Sequence, residues 1–184
     1  SHAEHLAHSG SAFGSLITND NDIIIFNLAR LHRLEGVLFA VKNPRQERIR
    51  EPDTLPYPDW DALNITAYMD SHTFMGPSSS QARSIPMLAT RGCPYACTFC
   101  ASPNMWTRMY RTRDPKKVVE EMAHWKETYG ANDFQFQDLT AIVRKEWIVE
   151  FCRELIDRKL NITWQIPVGT RSEAIDQEVT DLLI

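Results

Sequence analysis

The stretch SIPMLATRGCPYACTFC spans residues 84–100. Its apolar part, Ile85–Thr90, has the length of a strand, and it runs straight into a loop holding three of the chain's four cysteines, Cys93, Cys97 and Cys100. The rhythm continues downstream. Asp114-Pro115 reads as an N-cap followed by proline at the first helical position. Val118, Val119, Met122 and Trp125 recur at helical spacing until Gly130 supplies a stop. Phe134-Gln135-Phe136 reads as a short strand, and Trp147, Ile148, Phe151, Leu155 and Ile156 mark a second amphipathic helix. A third strand is expected at Ile162–Val168, with Pro167 near its end. Asp176 then caps a third helix through Val179, Leu182 and Leu183. Strand–loop–helix, strand–helix, strand–helix argues for parallel βαβ units with right-handed crossovers. About three such units cannot close a barrel, so the expected fold class is α/β: the first half of a truncated, TIM-like (βα) barrel. Sites in parallel barrels gather at the carboxyl ends of the strands. The cysteine loop, Asp138 and the Gly169-Thr170-Arg171 turn are therefore expected on one rim.

Upstream the texture differs. Residues 1–20 are rich in His, Ser and Gly. Ile23–Phe26 is a strand candidate, and Leu28, Leu31 and Leu34 suggest a helix stopped at Gly36. Val37–Val41 reads as a further strand, forming an edge hairpin with the segment after Pro44. Pro52, Pro56, Pro58 and Pro77 argue against continuous helix or central strand, so residues 51–83 are expected to be a linker packed across a surface. Ser1-His2 reads as a tag remnant, and the chain as a cut piece of a longer protein.

The 184 residues, 43% hydrophobic and 24% charged, fit an ordinary globular protein. No apolar run approaches the length of a membrane span. A net charge of −4 gives no general reason to expect nucleic acid. Three clustered cysteines cannot staple distant segments, so a reducing, cytoplasmic setting is expected rather than a disulfide framework.

Three thiolates are one short of the four ligands of a structural zinc site, and no second Cys or His pair follows; His124 stands alone. A redox dithiol would use Cys97 and Cys100 and leave Cys93 unexplained. An iron–sulfur cluster is held by thiolates, normally four. With three, one iron stays open to a small ligand, and an open coordination position is where metal sites do chemistry. The cluster leads these readings, with zinc and the dithiol behind it.

The spacing Cys93-x3-Cys97-x2-Cys100, with aromatic Phe99 just before the last cysteine, resembles the signature of radical S-adenosylmethionine (SAM) enzymes. The likeness covers residues 84–184. It implies a partial (βα)6 radical SAM barrel whose cluster loop follows the first strand. It also implies that Cys93, Cys97 and Cys100 are the metal ligands of a 4Fe–4S cluster and that SAM chelates the fourth iron. Reductive cleavage of SAM then yields a 5′-deoxyadenosyl radical that takes hydrogen from a small-molecule substrate. An electron donor such as flavodoxin or ferredoxin is implied as partner.

A narrower resemblance rests on Leu55-Pro56-Tyr57-Pro58 ahead of Arg91-Gly92-Cys93-Pro94, on Phe136-Gln137-Asp138-Leu139-Thr140, and on Thr163-Trp164 followed by Thr170-Arg171. These look like the cobalamin-binding radical SAM enzymes, which carry out methyl transfer, rearrangement or cyclisation. In that subfamily a Rossmann-like cobalamin domain precedes the barrel, and residues 1–50 would be its last remnant. The Asp-x-His-x-x-Gly cobalamin signature is absent here, so cobalamin is implied for a full-length parent and not for a site in this chain. An electron-transfer or structural iron–sulfur module is the non-enzyme alternative. RNA methylthiotransferases resemble the same barrel but carry three further cysteines in an N-terminal domain, and none precedes Cys93.

The resemblance implies cofactor contacts as well: Phe99 against the adenine, Asp138 to the SAM ammonium or ribose, Thr170 beside it, and Arg171 on the SAM carboxylate. Three of these have a plainer reading. Phe99 could pack in a core, Asp138 could cap a helix or turn, and Arg171 could form a surface ion pair. Trp164 is expected in the core, and Cys152, on the apolar side of its helix, as a buried structural thiol.

Overall fold

The computed structural model describes residues 30–34, 37–41, 49–72 and 81–184. The chain divides into two units, Ser1–Arg50 and Glu51–Ile184. In the first, β1 (Arg30–Leu34) pairs antiparallel with β2 (Val37–Val41), from Arg30↔Val41 to Leu34↔Val37. This corrects the helix expected through Leu28, Leu31 and Leu34, and it gives β2 a partner before it in sequence; the segment directly after Pro44, expected to pair with β2, lies outside the described residues. Only Glu35 and Gly36 separate the two strands, a spacing suited to a tight hairpin. Adjacent backbone thus meets its hydrogen-bonding needs by pairing. The expected strand Ile23–Phe26 lies outside the described residues.

The second unit opens with two short 3-10 turns, Pro52–Thr54 and Asp61–Leu63, and then α1 (Ile65–Ser71). This helix falls inside the proline-rich stretch but after Pro58 and before Pro77, so no proline interrupts it. Ile65 and Met69, one turn apart, are buried in the core. Next in order come β3 (Ser84–Met87), β4 (Thr90–Arg91), α2 (Ser102–Trp106), β5 (Arg111–Thr112), α3 (Pro115–Tyr129), β6 (Asp133–Phe136), α4 (Lys145–Arg158), β7 (Thr163–Gln165) and α5 (Gln177–Leu183).

Strands β3, β6 and β7 form a parallel sheet in that order, with Ile85↔Phe134 and Phe134↔Trp164 in register. Phe134 and Phe136 alternate with Asp133 and Gln135, so each pair lines its own face. The aromatic face meets α4: Phe136 packs edge-on against Phe151 at 5.7 Å, and Phe151 against Trp164 at 5.3 Å. Val118, Val119 and Met122 of α3 and Ile148 and Cys152 of α4 complete the core. Both helix starts with a carboxylate cap behave as the sequence implies. Asp114 accepts the Lys116 N–H at 2.8 Å and Asp176 accepts the Val179 N–H at 3.1 Å. Gly130 ends α3 at φ 67°, the left-handed conformation glycine adopts most readily. Ile156, expected on the apolar face of α4, is exposed.

Two strands are shorter than expected. The third stops at Gln165, because the Gly169 N–H donates to the Ile166 carbonyl at 3.0 Å and turns the chain. Pro167 has no N–H with which to extend the ladder. The first stops at Met87, and Thr90–Arg91 joins a separate antiparallel ladder with Arg111–Thr112. The cause of that break lies across the sheet, at Asp138.

Candidate functional site

Asp138 follows the carboxyl end of β6 and is only 1% exposed. Its carboxylate accepts the Ala89 N–H at 3.2 Å on either oxygen, and the Thr90 N–H and Thr90 hydroxyl at 2.5 Å each on one oxygen. Those donors would otherwise continue β3. The carboxylate therefore turns the chain out of the sheet three residues before Cys93. Burial pushes its pKa up to about 6, against the lowering effect of these hydrogen bonds.

The loop that leaves at this point is closed at its base by the β4–β5 ladder, Thr90↔Thr112 and Arg91↔Arg111. Gly92 lies just inside. It has φ +82°, and a Cβ there would meet the Met109 carbonyl oxygen at 2.0 Å. Only glycine lets the two sides of the loop approach so closely. Arg108 donates to the Pro94 carbonyl at 3.0 Å, and the Tyr110 hydroxyl donates to the Ala141 carbonyl at 3.0 Å. Beneath the ladder, Arg113 reaches Asp53 at 3.0 Å, Glu121 at 2.5 Å and the Leu88 carbonyl at 3.1 Å. Burial would lower its pKa, but the two carboxylates outweigh that and raise it. Arg113 is thus a strut below the loop.

All four cysteines are free thiols. Cys97 is exposed, while Cys93 and Cys100 are half-buried. The Ser102 N–H, at the start of α2, donates to the Cys100 sulfur at 3.4 Å, and hydrogen bonding from Ser102 lowers the Cys100 pKa. Cys152 differs: burial raises its pKa to about 11, and it packs in the core away from the loop. Among the described residues no three ligand side chains stand close enough to grip one ion.

The other expected contacts divide. Phe99 is 92% exposed, an apolar ring uncovered between two candidate ligands. The Thr170 hydroxyl bridges two loops: it accepts the Ile142 N–H at 3.1 Å and donates to the Ile142 carbonyl at 3.0 Å. Arg171 pairs with Glu173 and lies over the Tyr95 ring, 4.3 Å from its centroid, inside the cysteine loop. The loop after β3, the Asp138 segment after β6 and the Thr170-Arg171 turn after β7 thus meet on one side of the sheet. The β4–β5 ladder, the Gly92–Met109 approach and the Tyr95–Arg171 contact were missed in the sequence. A glycine directly before the first cysteine was the one available signal.

Residues 87–183 match the model of the Radical SAM superfamily. Among curated relatives, the chain is 27% identical over 151 residues to the cytidylyl-2-hydroxyethylphosphonate methyltransferase of Streptomyces wedmorensis, covering 82% of this chain and 28% of that protein. It is 34% identical over 156 residues to the anaerobic magnesium-protoporphyrin IX monomethyl ester cyclase of Rubrivivax gelatinosus, covering 82% of this chain and 25% of the cyclase. To the bacteriochlorophyllide d C-12(1)-methyltransferase of Chlorobaculum tepidum it is 33% identical over 87 residues, 46% of this chain and 19% of that protein. The chain therefore spans about a quarter of the length of the first two relatives.

Proposed function

The chain belongs to the radical SAM superfamily, and from that premise we propose that Cys93, Cys97 and Cys100 hold a 4Fe–4S cluster whose fourth iron binds SAM. With both bound, the cluster would supply one-electron reductive cleavage of SAM to methionine and a 5′-deoxyadenosyl radical able to take hydrogen from a small-molecule substrate. The observation that carries this reading is the three-thiol loop, braced at its stem by Asp138 and left open at its thiols.

The chain's own residues divide the work. Phe99, exposed between Cys97 and Cys100, offers an apolar face to the adenine ring. Asp138 and Thr170 are positioning residues, since their polar atoms are engaged in joining the loops around the site. Of the two roles considered for Asp138, its geometry supports the loop brace over a SAM contact. Arg171 stands over Tyr95 and pairs with Glu173, and its guanidinium would supply the bidentate partner of the SAM carboxylate.

Three βα units with helices against one sheet face support the reading of a partial (βα)6 barrel. Residues 1–50 would then be the remnant of a Rossmann-like cobalamin domain and 51–83 the linker. The quoted motifs and the company of two methyltransferases and a cyclase favour a cobalamin-dependent parent that methylates or cyclises a small molecule. Its electron donor would be a flavodoxin or ferredoxin in a reducing cytoplasm. Among the described residues no helix is long and apolar enough to cross a membrane.

Anaerobic reconstitution with iron and sulfide is the test. About four irons per chain are expected, with loss of the cluster in Cys93→Ala, Cys97→Ala and Cys100→Ala and a change in its electron paramagnetic resonance on adding SAM. A tetrahedral zinc ion, or a cluster whose signal ignores SAM, would overturn the reading.

A further inference from the structure

Gln135 lies in β6, the central strand of the sheet, and is fully buried. Among the described residues neither its amide nitrogen nor its carbonyl oxygen has a hydrogen-bond partner. Buried polar groups are nearly always satisfied, so an orphaned carboxamide calls for an explanation. Its neighbours Phe134 and Phe136 fill the face that packs on α4, so Gln135 belongs to the opposite face of the sheet. There it stands in register between Pro86 of β3 and Gln165 of β7, both of which keep some exposure.

The same face gives its buried carboxylate three donors. Asp133 accepts the Ser84 hydroxyl at 2.5 Å, the Thr163 hydroxyl at 2.8 Å and the Gln165 amide at 3.1 Å. Gln165 thus gives one N–H to Asp133, and Gln135, nearer the carboxyl ends of the strands, keeps its amide donors and its acceptor side by side. That end of the sheet is the one at which the cysteine loop departs.

We propose that Gln135 is a ligand contact: its carboxamide receives a neutral group that itself presents a donor beside an acceptor, as a primary amide does. The Asp133 carboxylate on the same face repels an anion there. Naming the ligand as substrate rests on the radical SAM reading; the contact itself does not. Gln135 discriminates among substrates by this pair, because an analogue lacking it would leave the buried amide unpaired.

Acetamide is the probe, with sodium acetate as its charged counterpart. In the 15N-labelled full chain, the Gln135 side-chain amide signals are identified by their absence from both Gln135→Leu and Gln135→Met. Acetamide is expected to shift that pair of signals and acetate to leave it in place, while the Leu variant melts at a higher temperature and gives no response. No shift, or an equal shift with acetate, overturns the proposal. A crystal structure of the wild-type chain soaked in acetamide decides without a variant: acetamide bonded to both amide atoms supports the contact, whereas a protein group or water alone refutes it. Iron content of the reconstituted wild-type chain tests the cluster separately. Its failure would sink the proposed function and leave the acetamide result standing.

Discussion

Replacing Asp138 separates its hydrogen bonds from its charge. In Asp138→Ala the Ala89 and Thr90 N–H groups lose their acceptor, while the Thr90 hydroxyl keeps the Thr140 carbonyl at 3.3 Å. Two buried orphan donors cost roughly 2–6 kcal/mol. Against this stands relief of the buried charge. A pKa raised from 3.8 to about 6 makes the carboxylate a burden of about 3 kcal/mol at neutral pH. Because the folded pKa lies above the unfolded one, the group's stabilising contribution is complete below the unfolded value and is lost as pH rises through about 6. The Ala variant should therefore be clearly less stable than wild type near pH 4, with the gap narrowing by about 3 kcal/mol towards pH 8. Asp138→Asn retains the oxygen that takes both Thr90 bonds and carries no charge. It should match wild type near pH 4 and exceed it by up to about 3 kcal/mol near pH 8. Urea unfolding followed by tryptophan fluorescence across this range measures all three chains. An Asn variant as unstable as Ala, or a wild-type-minus-Asn difference that does not change with pH, would refute the reasoning.

Gly92→Ala should lower cluster loading and cost more than about 1 kcal/mol, because a Cβ is barred both by φ +82° and by the Met109 carbonyl; iron content and urea midpoints report the two effects. Glu121→Ala should cost roughly 3 kcal/mol by removing one of the two carboxylates on half-buried Arg113 and the acceptor of the buried Trp125 N–H at 3.0 Å. Glu121→Gln, which still serves Trp125, should cost less in the same denaturation assay. Cys152→Ala should leave iron content unchanged and lower stability by on the order of 1 kcal/mol, since this thiol only packs in the core.

Much of the second unit could be read from neighbours along the chain. Asp114, Pro115 and Gly130 mark both ends of the helix Pro115–Tyr129, and apolar spacing marks its buried face, because capping and periodicity act within a turn or two. The cysteine spacing is local in the same sense. Other features depend on partners distant in sequence. Asp138 meets Ala89 and Thr90 from 48 or 49 residues away, so neither the shortened first strand nor the carboxylate's brace could be read locally. The Arg30–Leu34 strand was read as a helix because its leucines carry helical spacing, and pairing with Val37–Val41 outweighed that preference.

Cysteine identity and spacing, helix caps and the alternation of strands with helices were therefore properties of the chain itself, since each is decided within a few bonds or one turn. Folding alone decided which polar side chains would be satisfied. Asp133 found three donors across two neighbouring strands, while Gln135, two residues along the same face, found none among the described residues. Hydrogen bonding needs a partner at the right distance and angle, and only packing of the whole sheet supplies or withholds one.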